Sequence, residues 1–85
     1  MKPNENIRKE IFQVIENQLN ANEPPETKIT YGRLLSLGYS DFESKQLIGQ
    51  CIAVELFDVI KNNKPFNESR YIKNLKNLPK EPFEE

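Results

Sequence analysis

Residues 40–61 read SDFESKQLIGQCIAVELFDVIK, and they carry the strongest signal for secondary structure in the chain. It opens with a capping box, because the Ser40 side chain can accept a hydrogen bond from the Glu43 amide while the Glu43 carboxylate reaches back to the Ser40 amide. No proline interrupts it, and its one interior glycine, Gly49, costs a helix only about 1 kcal/mol. The spacing of its apolar residues therefore predicts one long helix from Asp41 to about Lys61.

Two more helices are predicted before this stretch. The first runs from about Asn4, as its N-cap, to Leu19, with apolar residues at helical spacing. A polar linker follows, in which two adjacent prolines remove backbone donors. The second helix is short; it begins near Thr27 or Thr30 and ends at Gly38, since glycine suits the left-handed position after a helix. Its apolar residues are Ile29, Leu34, Leu35 and Leu37.

A fourth helix is predicted after Asn67, which is its N-cap, with Phe66 and Tyr71 in the two positions of a hydrophobic staple. The expected fold class is therefore all-α, a single-domain bundle of about four helices around a long central third helix. We expect the helical domain to span residues 1–78. Residues 79–85 are charged and interrupted by proline, which predicts a flexible C-terminal tail.

Composition excludes much of the usual chemistry of enzymes. The chain has 85 residues, no histidine and one cysteine, so a histidine base, a histidine metal ligand and an intramolecular disulfide are all absent. Cys51 lies among apolar residues and should be an inert core thiol with a raised pKa. We therefore expect no enzyme activity and no cofactor. The chain lacks an apolar stretch of signal-peptide or membrane-spanning length, which predicts a cytoplasmic protein with no membrane partner.

Glu55 stands inside the apolar arc of the third helix, where an unpaired carboxylate would be costly to bury. We expect it to be paired, and the predicted buried polar cluster consists of Glu55, Arg70, Tyr31 and Arg33, with Tyr39 and Tyr71 as further possible donors. Two other interpretations stay open. Glu55 and Asp58 together could hold a cation, or Glu55 with Tyr31 and Arg70 could form a ligand or catalytic pocket.

The second half of the third helix is apolar nearly all round, because Ala53, Phe57 and Ile60 lie on the side opposite Glu55. Such a helix is either central in its bundle or shared with a partner. Since two of the other helices are short, we predict that these three residues belong to a partner surface built from the third and first helices. The favoured hypothesis is a non-enzymatic protein–protein interaction module whose partner is another protein or a second copy of itself, as a homodimer.

Basic residues lie along the fourth helix and just beyond it, and they suggest a second functional hypothesis. A nucleic-acid accessory protein could use such a run against a phosphate backbone, and the residues concerned are Arg70, Lys73, Lys76 and Lys80. The alternative is a solvated face that suits the negative end of the helix dipole. We favour the solvated face, because Lys and Arg (12) balance Asp and Glu (13) and leave the chain near zero net charge.

Two resemblances to known families are visible. Leu34, Gly38, Tyr39 and Ser40, followed by Ile48, resemble the turn between the first two helices of ubiquitin-associated (UBA-like) domains, although the helix after the turn is longer here. The stretch 25–78 looks like a group of small uncharacterised bacterial proteins known only as domains of unknown function. That second resemblance implies an all-helical cytoplasmic bacterial protein and no activity; its landmarks are Tyr31, Leu34, Leu35, Gly38, Tyr39, Ser40, Glu55, Asp58, Phe66, Arg70 and Tyr71.

Overall fold

A computed structural model describes residues 3–82, with side chains from residue 7 onward. It contains four α-helices: α1 (Pro3–Ala21), α2 (Pro25–Ser36), α3 (Asp41–Asn62) and α4 (Glu68–Asn77). Within this part of the chain there is no β-strand. The predicted all-α class and the long third helix are confirmed.

Local capping signals end α2, and begin α3 and α4, where the sequence predicts. The Glu43 amide donates to Ser40 Oγ at 3.0 Å and the Ser40 amide donates to Glu43 Oε1 at 2.9 Å, which completes the capping box of α3. Gly38 has a φ of 102°, a conformation that only glycine adopts without strain. At the start of α4, Asn67 Oδ1 accepts from the Arg70 amide at 3.0 Å.

Both helices of the N-terminal half begin earlier than predicted. α1 starts at Pro3, so Asn4 lies within the helix rather than at its N-cap. α2 starts at Pro25, because proline lacks a backbone donor that the first helical turn would leave unpaired in any case. Thr27 and Thr30 consequently lie inside α2, where both are buried.

α2 contacts the core with a different face from the one that its apolar residues suggest. Thr27, Thr30 and Leu34 point inward, while Ile29, Leu35 and Leu37 are exposed. The hydrophobic core gathers residues from all four helices and from the residue that follows α4: Ile11, Ile15, Leu34, Ile48, Cys51, Ile52, Tyr71, Leu75 and Leu78. Burial of Leu78 anchors the chain just beyond α4.

α3 packs against α1, α2 and α4. Its middle is buried, including Ile48, Cys51, Ile52 and Glu55, whereas Phe57 and Ile60 near its C-terminal end are exposed. The helix is therefore central for part of its length only. Among residues 3–82, none of the helices combines the length and the hydropathy needed to cross a membrane.

The predicted division into a domain and a tail falls at the end of α4. Lys80 is still tied back, since its amide donates to the Asn77 carbonyl at 2.9 Å. Residues 83–85 lie outside the described residues, so flexibility of the tail stays a prediction.

Candidate functional site

Glu55 is fully buried, and both of its carboxylate oxygens are used. Arg70 donates from Nε to Oε2 at 2.5 Å and from Nη2 to Oε1 at 2.9 Å. The Asn67 amide at the entrance to α4 also donates to Oε1, at 2.9 Å. The predicted pairing of Glu55 with Arg70 is confirmed, and the pair fastens the first turn of α4 to the middle of α3.

Asp58 joins the pair from one turn further along α3. Arg70 Nη2 donates to Asp58 Oδ2 at 3.0 Å, while Asn62 Nδ2 donates to Asp58 Oδ1 at 2.7 Å. These hydrogen bonds, that from Asn62 first, hold the pKa of Asp58 below its usual value. The hydrogen bond to Glu55 in turn raises the pKa of Arg70. The two carboxylates that could have held a cation thus both bind the Arg70 guanidinium. Within the described residues, no group of three or more His, Cys, Asp or Glu side chains could hold a metal ion.

Tyr31 and Arg33 do not belong to this cluster, so their predicted membership is wrong. Tyr31 donates from its hydroxyl to Asp41 Oδ1 at 2.5 Å, and this hydrogen bond raises the pKa of the phenol. Lys45 lies beside Asp41 and also pairs with Glu16 at 2.6 Å. The hydroxyl therefore belongs to a polar network at the start of α3, away from Glu55.

Arg33 instead caps the C-terminal end of α4. Its Nη1 donates to the Leu78 carbonyl at 2.8 Å and its Nη2 donates to the Leu75 carbonyl at 2.9 Å. The last carbonyls of a helix have no partner within the helix, and a guanidinium supplies both hydrogen bonds and positive charge there. Arg33 therefore joins α2 to the end of α4. The residues involved are more than 40 positions apart in the chain, so the sequence pattern does not predict this contact.

A second polar contact that sequence reasoning missed links α1, α2 and α4. Gln18 Oε1 accepts from Thr27 Oγ1 and from the Tyr71 hydroxyl, both at 2.7 Å. Tyr71 and Thr27 are fully buried, and burial raises the pKa of Tyr71. The sequence carries one sign of this contact: Thr27 and Thr30, both polar, are spaced three residues apart on α2 and lie on the same face as Leu34.

A depression of about 700 Å³ lies between the start of α2 and α4. Glu23, Glu26 and Glu68 surround it, and Phe66 and Tyr71 form its apolar wall. Its amide, Gln18, is already bonded to Tyr71 and Thr27. Within the described residues this arrangement has no paired nucleophile and base, which leaves an acidic, open cleft.

Cys51 is buried in the core, as predicted. Burial raises the pKa of its thiol to about 12, with a smaller contribution from the negative charge of Glu55. A thiol in this environment is protonated at physiological pH and is a poor nucleophile.

The predicted partner residues form part of an exposed apolar surface. Phe57 is 59% exposed and Ile60 is 73% exposed. Together with neighbouring residues of both helices they line a groove of about 280 Å³, and we name this the α1–α3 surface: Ile7, Glu10, Ala53, Leu56, Phe57 and Ile60. Four of these side chains are large and apolar, and Lys61 Nζ lies 5.1 Å from the centre of the Phe57 ring at the edge.

A smaller hollow continues this surface toward the start of α3, and we name it the Gly49 notch. It measures about 220 Å³ and is lined by Ile7, Arg8, Ile11, Phe12, Gln46, Gly49, Gln50 and Ala53. Gly49 is buried at its base, where a Cβ would lie 3.0 Å from Ile11 Cγ2. The missing side chain allows α1 to pack closely on α3.

The four residues of the basic run separate in the structure. Lys73, Lys76 and Lys80 are exposed, whereas Arg70 is only 7% exposed and is held by Glu55 and Asp58. The guanidinium that could have contacted a phosphate is thus inside the protein. Binding of nucleic acid stays a prediction for the three lysines alone.

A scan against protein-family models found no match for this chain, and searches of the curated proteins and of the solved structures also found none. The resemblances to the UBA-like turn and to the small bacterial proteins therefore stay predictions.

Proposed function

We propose that this chain is a non-enzymatic protein–protein interaction module that binds its partner along the α1–α3 surface. The observation that carries the proposal is the exposure of Phe57 and Ile60 beside the groove. Burying such a side chain contributes about 1.5–3 kcal/mol, and a chain of this size has few large apolar residues to spare from its core. Apolar side chains grouped on one face of a small protein mark an interaction site.

The polar groups of the interior support a structural role rather than catalysis. The Glu55 carboxylate is neutralised by Arg70, and the Cys51 thiol has a pKa of about 12. Both oxygens of Glu55 are already bonded to Arg70, and the thiol is a poor nucleophile near neutral pH. The same proposal locates the protein in the cytoplasm of a bacterium, which rests on the single cysteine and on the resemblance of 25–78 to the small bacterial proteins.

Affinity capture with a matched pair of variants tests the proposal. The tagged chain is used as bait against native lysate supplemented with untagged copies of the chain, and retained proteins are quantified. We expect Phe57→Ser with Ile60→Ser to lose a partner that the wild-type bait retains. The control is Ile29→Ser with Leu37→Ser, which changes side chains that are 67% and 59% exposed but lie on and just after α2.

Retention of the partner by the wild type and the control variant, and its loss from the surface variant, supports the proposal. Equal retention by all three baits contradicts it, and so does the absence of any retained protein. Circular dichroism confirms beforehand that each bait is folded.

A further inference from the structure

The α1–α3 surface carries a projection and a hollow on the same face of the same helix. Phe57 projects from α3, and the Gly49 notch lies eight residues earlier, about 12 Å along the helix axis. The notch of about 220 Å³ exceeds the cavity of about 150 Å³ that suffices to hold a benzene ring in a protein core. A phenylalanine side chain therefore fits it.

Resting on the function proposed above, we propose that the partner of the α1–α3 surface is a second copy of this chain. The two α3 helices lie antiparallel across a two-fold axis at Ala53, and Phe57 of each copy enters the Gly49 notch of the other. Gly49 and Phe57 are each four residues from Ala53, so one rotation about that axis satisfies both contacts at once. A closed interface of this kind uses the same patch on both subunits.

The residue at the axis permits this approach. Ala53 has the smallest side chain on the exposed part of α3, and a small residue lets two helix backbones come close together. One turn on, Ile60 of each copy lies opposite Gln46 of the other and covers the far end of the notch. In the proposed dimer, Phe57 and Ile60 of one copy thus pack against the Gly49 notch of the other, and the two Ala53 side chains contact each other.

Charge and area are both compatible with a second copy as the occupant. The rim carries charges of both signs, with Arg8 and Lys61 against Glu10, and the whole chain has a net charge of -1, so two copies repel each other little. The α1–α3 surface and the Gly49 notch together span Gln46 to Ile60 on α3. Over that length, about 22 Å, and the width of two helices, about 20 Å, the face measures about 440 Å² per copy. That is the size of a weak, reversible interface.

Sedimentation equilibrium of the full chain, from low micromolar to high micromolar concentration, tests whether the dimer exists. We expect the wild type to be a reversible dimer and Phe57→Ala to weaken dimerisation about 30-fold, as truncation of a central apolar anchor does. Ile29→Ala, which removes an exposed apolar side chain from α2, should leave the dissociation constant unchanged. A wild-type chain that stays monomeric overturns the dimer, while the capture experiment can still find a different partner on the same surface.

Disulfide trapping tests the position of the axis. Only residues on a two-fold axis meet their own copies, so Ala53→Cys should form a covalent dimer on mild oxidation. Gln46→Cys, on the same face but away from the axis, should form little, and the wild type should form none because Cys51 is buried. A dimer that Phe57→Ala does not weaken, or that Gln46→Cys traps as well as Ala53→Cys, overturns the proposed geometry.

Discussion

Arg70 on α4 holds Glu55 on α3 through two hydrogen bonds, from Nε at 2.5 Å and from Nη2 at 2.9 Å, in an almost fully buried position. Each residue supplies the charge that the other needs inside the protein. A buried pair of this kind contributes little compared with a well-packed apolar pair, but loss of one partner leaves an uncompensated charge. Substitution of one residue of the pair should therefore lower the free energy of unfolding more than replacement of both by apolar residues.

We expect Glu55→Gln to lower the free energy of unfolding by about 3 kcal/mol, because the buried Arg70 guanidinium loses the closer of its two carboxylates and keeps only Asp58. The double variant Glu55→Leu with Arg70→Met should recover a large part of that loss. Urea unfolding followed by circular dichroism measures both. A double variant that is no more stable than Glu55→Gln would contradict the description of these residues as one buried pair.

Arg33 should stabilise the C-terminal end of α4 from outside that helix. We expect Arg33→Met to cost about 1–2 kcal/mol, since the carbonyls of Leu75 and Leu78 lose a charged donor. Arg33→Lys should rescue little, because an ammonium cannot reproduce the forked geometry. Lys28→Met on the same helix is the control, and thermal unfolding provides the comparison. Equal effects of Arg33→Met and Lys28→Met would rule out the cap.

Two glycines inside helices should respond in different ways to alanine. A Cβ at Gly32 on α2 meets nothing within 4 Å, so Gly32→Ala should gain about 0.5–1 kcal/mol from helix propensity. At Gly49 the same atom lies 3.0 Å from Ile11 Cγ2, and the stiff β-branched side chain must move. Gly49→Ala should therefore gain less or lose stability. A gain at Gly49 equal to that at Gly32, measured by urea unfolding, would show that α1 does not pack closely there.

Acid should weaken the fold through Asp41 and Asp58. Hydrogen bonds, first from Tyr31 and from Asn62 respectively, lower the pKa of these carboxyls in the folded state below the ordinary value of 3.8. A lowered pKa in the folded state gives stability above the unfolded-state pKa that is lost as the pH falls through the folded-state pKa. We expect the urea concentration at the midpoint of unfolding to decrease as the pH is lowered below 3.8. In the double variant Asp41→Asn with Asp58→Asn this decrease should be smaller. An unchanged pH dependence in that variant would assign acid sensitivity to other groups.

Cys51 should resist thiol reagents while the protein is folded. A pKa raised from 9.0 to about 12 reduces the thiolate fraction roughly a thousandfold, and burial also excludes the reagent. Labelling with a thiol-specific disulfide reagent should therefore be slow in buffer and complete in denaturant. Labelling in buffer at the rate seen in denaturant would place the thiol at the surface.

Features that depend on near neighbours in the chain were open to prediction. The capping box at Ser40 and Glu43, the N-cap at Asn67 and the left-handed Gly38 each involve residues within a few positions of one another, and local hydrogen bonding and backbone sterics decide them. The burial of Cys51 followed from the apolar arc of α3. The presence of a hydrogen-bonding partner for Glu55 followed from the cost of burying a lone carboxylate.

Choice among distant partners was beyond prediction from the sequence. Tyr31 and Arg33 looked as suitable as Arg70 for Glu55, yet one bonds Asp41 and the other bonds the carbonyls at the end of α4. The inner face of α2 carries two threonines, and its apolar Ile29 is exposed, because Tyr71 and Gln18 approach α2 with polar groups. Those groups meet only after the helices have packed.

Local propensity and composition account for the four helices, for the capped starts of α3 and α4 and for the scarcity of catalytic groups. The packing of the helices was needed to show that Arg70 is the partner of Glu55 and not a surface cation, and that the notch and the exposed Phe57 lie on one face beside α1. The backbone hydrogen bonds of a helix form between near neighbours in the chain, whereas the pairing of a charge or the exposure of a side chain depends on which neighbouring helix covers it.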